Sequence, residues 1–267
     1  MELAARYLNL IESVLTGTII EDPPIASPGY VAIVGGVLGK IFDKEIVPDA
    51  SALGYNAMAR ENGLDWPARA FTMVGRKRLH NFRVLIETVI ANNVCGDIVE
   101  TGVWRGGASI LARAVLMAHG VRDRRVVLAD SFCGLPPPDR SQFPADADSD
   151  LHLQADLAVG LEQVRENFRR FNLLDDQVVF VPGWFRDTMP VLQIGAIAVL
   201  RLDGDMYEST IDPLRYLYDH VTPGGYVVVD DYHVVPGCRQ AVHDFFAGRG
   251  DVPVLYEIDG MGVYFRK

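Results

Sequence analysis

The sequence predicts a doubly wound α/β domain, and three observations carry that prediction. From residue 72 onward, short apolar runs alternate with helical periods, the pattern of βαβ units. Glu100, Asp130, Asp203, Asp230 and Asp231 all fall at the ends of predicted strands. In open α/β sheets those ends hold the ligand, and chance surface charge has no reason to collect there. Finally, two short strands joined by Asp259-Gly260, a hairpin turn pair, close the chain.

Each element has a local reason. Residues 2–16 read as an amphipathic helix. Residues 17–69 are irregular, broken by Pro23, Pro24, Pro28, Pro48 and Pro67. Thr72 is a plausible N-cap for a helix to about Asn93. Strand 97–101, helix 106–119, strand 125–130, helix 159–171 and strand 177–181 follow. Strand 194–202 is so apolar that burial on both faces is expected, as in a parallel sheet. Helix 209–220, strand 225–230, helix 238–247 and strands 254–258 and 262–266 complete the order. Residues 1–71 thus form an N-terminal helix and irregular lid, and 72–267 the main domain. Residues 136–157, rich in proline and aspartate, read as a second lid.

Composition narrows the function. The chain has 267 residues, with 25 Lys+Arg against 35 Asp+Glu, a net charge of −10. Such an acidic protein has no cation excess with which to release counterions from a phosphate backbone, which argues against nucleic acid as a partner. No apolar run approaches the ~18 residues of a membrane span, and the first residues are acidic where a signal peptide is basic. Cys95, Cys133 and Cys238 are odd in number and far apart. They read as reduced thiols of a cytoplasmic protein, each expected to be buried packing.

Four segments carry chemistry. Ile98–Ser109 (IVETGVWRGGAS) ends a strand in Glu100 and turns through Gly102, Gly106 and Gly107 into a helix. Glycines allow a ligand close to the backbone, and a carboxylate there suits an ammonium group. The spacing is not the Gly-x-Gly-x-x-Gly of dinucleotide sites. Asp130, at the next strand end, can accept both hydroxyls of a ribose. Trp184 and Phe185 follow a strand and can cover a flat ring. Asp203 and Asp205 follow one buried strand, Asp230 and Asp231 another. Four adjacent carboxylates repel one another strongly, and a divalent cation relieves that. An all-oxygen set favours Mg²⁺, Mn²⁺ or Ca²⁺. Two look-alikes fail: Gly35–Lys40 lacks the first glycine and the final Ser/Thr of a phosphate loop, and Asp146-Asp148-Asp150 lacks the glycine and glutamate of a calcium loop.

ETGVWRGG, DSFCGLP, GWFRDTMP, RLDGDMYEST, PGGYVVVDDY and GCRQAVHDF, in that order, resemble the macrocin-type sugar O-methyltransferases, from about Tyr55 to the C-terminus. The resemblance implies a class I S-adenosylmethionine (SAM) methyltransferase fold: a Rossmann-like seven-stranded sheet with a terminal antiparallel hairpin. It implies SAM contacts from Thr72, Met73, Glu100, Thr101, Gly102, Val103, Trp104, Asp130, Ser131, Phe132, Trp184 and Phe185. It implies Mg²⁺ or another divalent cation on Asp203, Asp230 and Asp231, with Asp205 as general base. His233 is a second candidate base. The acceptor would be a hydroxyl of a deoxysugar in a glycosylated natural product, and the enzyme a homo-oligomer. A catechol-type O-methyltransferase would use the same metal and paired oxygens. A nicotinamide dehydrogenase would need the missing glycine motif, and a non-catalytic SAM-binding scaffold would not need the aspartates. Tyr55, Arg60 and Trp66 are candidates to line the acceptor site.

Overall fold

The computed structural model describes residues 2–25, 54–250 and 252–267. The phosphate-loop look-alike at 35–40 lies outside them. The elements are α1 (Glu2–Leu15), α2 (Ala57–Asn62), α3 (Arg76–Ala91), β1 (Asp97–Thr101), α4 (Gly107–Ala118), β2 (Val126–Asp130), α5 (Leu161–Arg170), β3 (Val178–Pro182), α6 (Phe185–Thr188), β4 (Ile197–Leu202), α7 (Tyr207–Leu217), β5 (Val221–Val229), α8 (Pro236–Ala247), β6 (Tyr256–Glu257) and β7 (Val263–Arg266).

The strands form one seven-stranded sheet in the order β3-β2-β1-β4-β5-β7-β6. β1 to β5 are parallel, and β7 runs antiparallel between β5 and β6. The chain winds outward through β2 and β3, then returns to add β4 on the other side of β1. The crevice beyond the ends of β1 and β4 is therefore the topological switch point. β1 and β4 are buried along their whole length, as expected for central parallel strands.

Two apolar clusters sandwich the sheet. One joins Leu8 and Leu15 of α1, Phe82 and Ile86 of α3, Ile110 and Leu111 of α4 and Phe168 of α5. The other joins Leu214 of α7 and Val242 and Phe246 of α8 to Leu200, Val227 and Phe265. α1 earns its place by periodicity: Leu8, Ile11 and Leu15 share one face, and that face is buried. Buried Arg60 ties the N-terminal segment down, bonding Asp65, the Thr16 carbonyl (2.5 Å) and the Asp22 carbonyl (2.7 Å).

Several boundaries differ from the sequence reading. α3 starts at Arg76, because the Thr72 hydroxyl accepts the Val74 amide (3.1 Å) in a tight turn and Gly75 takes the N-cap position. The irregular lid contains α2, capped by Asn56. β5 begins at Val221, and the glycine pair 224–225 is absorbed by a register shift against β4. β6 shrinks to two residues, since Val254 is exposed and pairing begins only at Tyr256. Residues 136–157 contain three single turns of 3₁₀ helix, at 144–146, 151–153 and 155–157. Cys238 is buried, but Cys95 and Cys133 are exposed, against the expectation of packing for all three. No helix among the described residues is long and apolar enough to cross a membrane.

Candidate active site

A cavity of about 590 Å³ opens at the switch point. Its lining includes Met73, Gly102, Val103, Trp104 and Asp130 on one side and Asp203, Asp205, Asp230 and Asp231 on the other.

The first side is built from backbone. At Gly102 the chain leaves β1 with φ +86°, and a Cβ there would lie 1.7 Å from the Asp203 carbonyl oxygen. Only glycine lets the exits of β1 and β4 touch. Asp130 accepts the amides of Val103 (2.7 Å) and Phe132 (2.7 Å). Burial raises its carboxyl, and these amides pull it back. The Trp104 indole donates to the Asp156 carbonyl (2.8 Å), and the Arg105 guanidinium stacks 4.1 Å from that ring.

The second side is built from charge. Parallel register sets Glu100 beside Arg201 on neighbouring strands, so their side chains share a face. Arg201 is 1% exposed. It donates to Glu100 (2.7 Å), to Asp203 (2.6 Å) and to Asp230. Arg78, from the first turn of α3, donates to the other oxygen of Asp230 and to Asp259 (2.9 Å). Burial works against the Asp230 charge, yet Arg201 and Arg78 together hold its carboxyl below the ordinary range. Its neighbours go the other way. Burial pushes Asp203 up to about 6 against the pull of Arg201, and burial with the charges of Asp203 and Asp230 pushes Asp205 up to about 7. Asp231 is raised well above the ordinary carboxylate range, by burial and then by Asp205 and Asp203. Asp205 sits at φ +62°, and its amide donates to Asp231 (3.2 Å).

A carboxylate oxygen from each of Asp203, Asp230 and Asp231 lies within 4.8 Å of the others. Hard oxygen donors at that spacing fit a Mg²⁺-like cation. The two arginines face Glu100, Asp203, Asp205, Asp230, Asp231 and Asp259, so they leave acid in excess. Two guanidiniums balance part of the charge for which the sequence alone offered a divalent cation.

Several predicted residues lie elsewhere. Glu100 does not line the cavity. It is buried beneath it, bonded to Arg201 and the Ser109 hydroxyl, so no carboxylate there faces an ammonium group. Thr101 is fully buried, its hydroxyl on the Arg201 carbonyl (3.4 Å). Thr72 is buried behind Met73. Ser131 closes its own turn on the Gly134 carbonyl (2.6 Å), and Phe132 packs on Phe180. Trp184 and Phe185 are outside the lining: Phe185 packs on the lower cluster, and the Trp184 carbonyl accepts from Thr188. His233 is also outside, paired at the surface with Glu257 (2.8 Å). Of the acceptor candidates, Trp66 lines the cavity, whereas Arg60 is locked in its buried ion pair with the Tyr55 ring against it.

Sequence reasoning missed Arg78, Arg201 and Asp146. Arg201 left a trace: a charge in the middle of IAVLRL, which can be buried only with partners.

The family model for macrocin-O-methyltransferase (TylF) matches residues 4–267. The chain is 49% identical to a tetracenomycin-C 4'-O-methyltransferase of Streptomyces olivaceus, whose full name specifies an 8-demethyl-8-(2,3-dimethoxy-alpha-L-rhamnosyl) compound, over 97% of this chain and 92% of that protein. It is 47% identical to demethyldecarbamoylnovobiocin O-methyltransferase of Streptomyces niveus, over 99% and 94%. Among solved structures, the O-methyltransferase NovP superposes with a TM-score of 0.87 at 46% identity, covering 99% of each chain.

Proposed function

This chain belongs to the macrocin-O-methyltransferase family, and on that premise we propose that it methylates a deoxysugar hydroxyl of a glycosylated natural product, using SAM and a divalent cation such as Mg²⁺. The observation that carries the reading is the double lining of one cavity: a glycine turn with Asp130 on one side, four aspartates on the other. The names of the relatives, one acting on a rhamnosyl tetracenomycin and one on a novobiocin precursor, support the acceptor class.

The residues present fit both absent groups. Gly102 lets the exit of β1 close against the Asp203 carbonyl, and its bare backbone lines the cavity. Asp130 accepts the Val103 and Phe132 amides and, at 3.4 Å, the Ser131 hydroxyl, and the acceptor capacity left over suits a ribose hydroxyl. Asp203, Asp230 and Asp231 would hold the cation. When bound, SAM supplies an electrophilic methyl group; the cation supplies Lewis-acid stabilisation of developing alkoxide charge. The protein supplies alignment, worth about 7–11 kcal/mol in well-oriented reactions, and a place for the proton. Asp205 takes that proton. Among the described residues no donor reaches its carboxylate, so both oxygens stay open to a hydroxyl. Arg78 and Arg201 hold Asp230 ionised and oriented. On the same reading the enzyme works in the cytoplasm as a homo-oligomer.

Calorimetric titration with S-adenosylhomocysteine, with NAD as control, tests the cosubstrate. Binding of the first alone is expected; binding of NAD, or of neither, refutes the reading. Methyl transfer to glycosides should stop in EDTA and return with Mg²⁺. Full turnover in EDTA, with no metal retained, removes the cation from the mechanism, and preference for a free catechol removes the sugar.

A further inference from the structure

We infer that Asp146 is a positioning residue that locks the wall of the cavity, residues 144–151, onto the backbone that carries Asp205. The catalytic consequence rests on the proposed role of Asp205; the mechanical one does not.

Asp146 sits in an exposed acidic run, yet it is itself 3% exposed. A buried carboxylate needs partners, and it finds them 61 residues away. One oxygen accepts the Tyr207 amide (2.7 Å), the other the Glu208 amide (2.9 Å). These are the first two residues of α7, whose amides have no partner within the helix. The N-cap residue is Met206, whose thioether is a weak acceptor. The helix therefore takes its anion from the wall segment.

Two carboxylates thus pin the turn that carries Asp205. Asp231 holds the amide of Asp205 (3.2 Å), and Asp146 holds the next two amides but one. A third element confirms the fit. A Cβ on Gly237, in the first turn of α8, would lie 2.8 Å from the Asp146 carboxylate, so any larger residue there displaces it. The segment led by Asp146 lines the cavity through Ala145, Asp148, Ser149, Asp150 and Leu151. Seating that wall and placing Asp205 are one mechanical event. Phe143 packs beside Ile211 and Ala241 without using the Asp146 carboxylate, so Asp146→Ala is expected to fold.

Hydrogen–deuterium exchange on the full chain tests the coupling. In Asp146→Ala, amides of both 144–151 and 205–208 are expected to exchange about ten-fold faster. Asp146→Asn keeps one acceptor oxygen and should fall between Ala and wild type. Gly237→Ala should reproduce the Asp146→Ala pattern from the opposite side. With an active acceptor, kcat should fall about ten-fold in Asp146→Ala, while the dissociation constant of S-adenosylhomocysteine stays within about three-fold. Faster exchange in 144–151 with 205–208 unchanged, or no change in either, overturns the inference. An enzyme that methylates no glycoside leaves the exchange result standing and refutes the function instead.

Discussion

Asp130 and Asp230 stand on opposite sides of one cavity, the first half-buried and the second buried, each at the end of an inner strand, and they are satisfied in opposite ways. Asp130 is held by amides of its own turn and of the loop after β1. Asp230 is held by guanidiniums from α3 and β4. Backbone donors are uncharged, so they hold Asp130 without drawing further acids around it. Guanidiniums recruit further acids, and the cluster grows to Glu100, Asp203 and Asp259. One side is therefore a rigid cradle for a neutral polar ligand edge. The other is an acid surplus shaped for a cation and a proton.

The comparison breaks hardest at Arg201. Replacing it with Met leaves Glu100, Asp203 and Asp230 without their shared cation, and breaking a buried pair costs about 3–5 kcal/mol. Urea denaturation in EDTA should show a loss in that range, while a loss below about 1 kcal/mol would mean that the acids are not charged together. Glu100 gives the next effect. Burial raises its carboxyl from 4.5 to about 7, against the pull of Arg201 and Ser109. The folded state then holds a proton that the unfolded chain has lost, so stability falls as pH rises from 4.5 to 7. Glu100→Gln should remove a fall on the order of 3 kcal/mol across that window, and an unchanged pH slope would place the charge elsewhere. Gly102→Ala strikes the seam between the two sides. Its φ of +86° and the 1.7 Å approach to the Asp203 carbonyl should cost about 2 kcal/mol or more. The smallest effect sharpens the boundary of the site. His233→Ala removes a partly exposed pair with Glu257 and an edge contact with the Tyr232 ring, so stability should change by less than about 1 kcal/mol. A large loss of turnover in that variant would return His233 to the chemistry and displace Asp205.

The cradle was legible in the sequence because its physics is local. Gly102, Val103 and Trp104 lie within four residues of one strand end, and Asp130 meets the Phe132 amide just past the next; its bond to Val103, 27 residues back, is the part that register supplied. The same holds for Asp259-Gly260, where Asp259 accepts the Met261 amide (3.0 Å) and Gly260 takes φ +84°. The surroundings of Glu100 were not legible, for the opposite reason. A strand-end carboxylate looks like a ligand contact until its parallel neighbour is known, and that neighbour is Arg201. His233, Trp184 and Phe185 follow strand ends too, but none of the three lines the cavity.

By itself, the sequence determined the α/β alternation, the acidic strand ends, the glycine turn and the closing hairpin, because period, turn chemistry and backbone freedom act over a few residues. Only the tertiary structure decided which charges meet. Arg78 reaches Asp230 across 152 residues, Arg201 reaches Glu100 across 101, and Asp146 reaches Tyr207 across 61. Those meetings depend on strand register and helix docking, which bring together side chains that no local pattern connects.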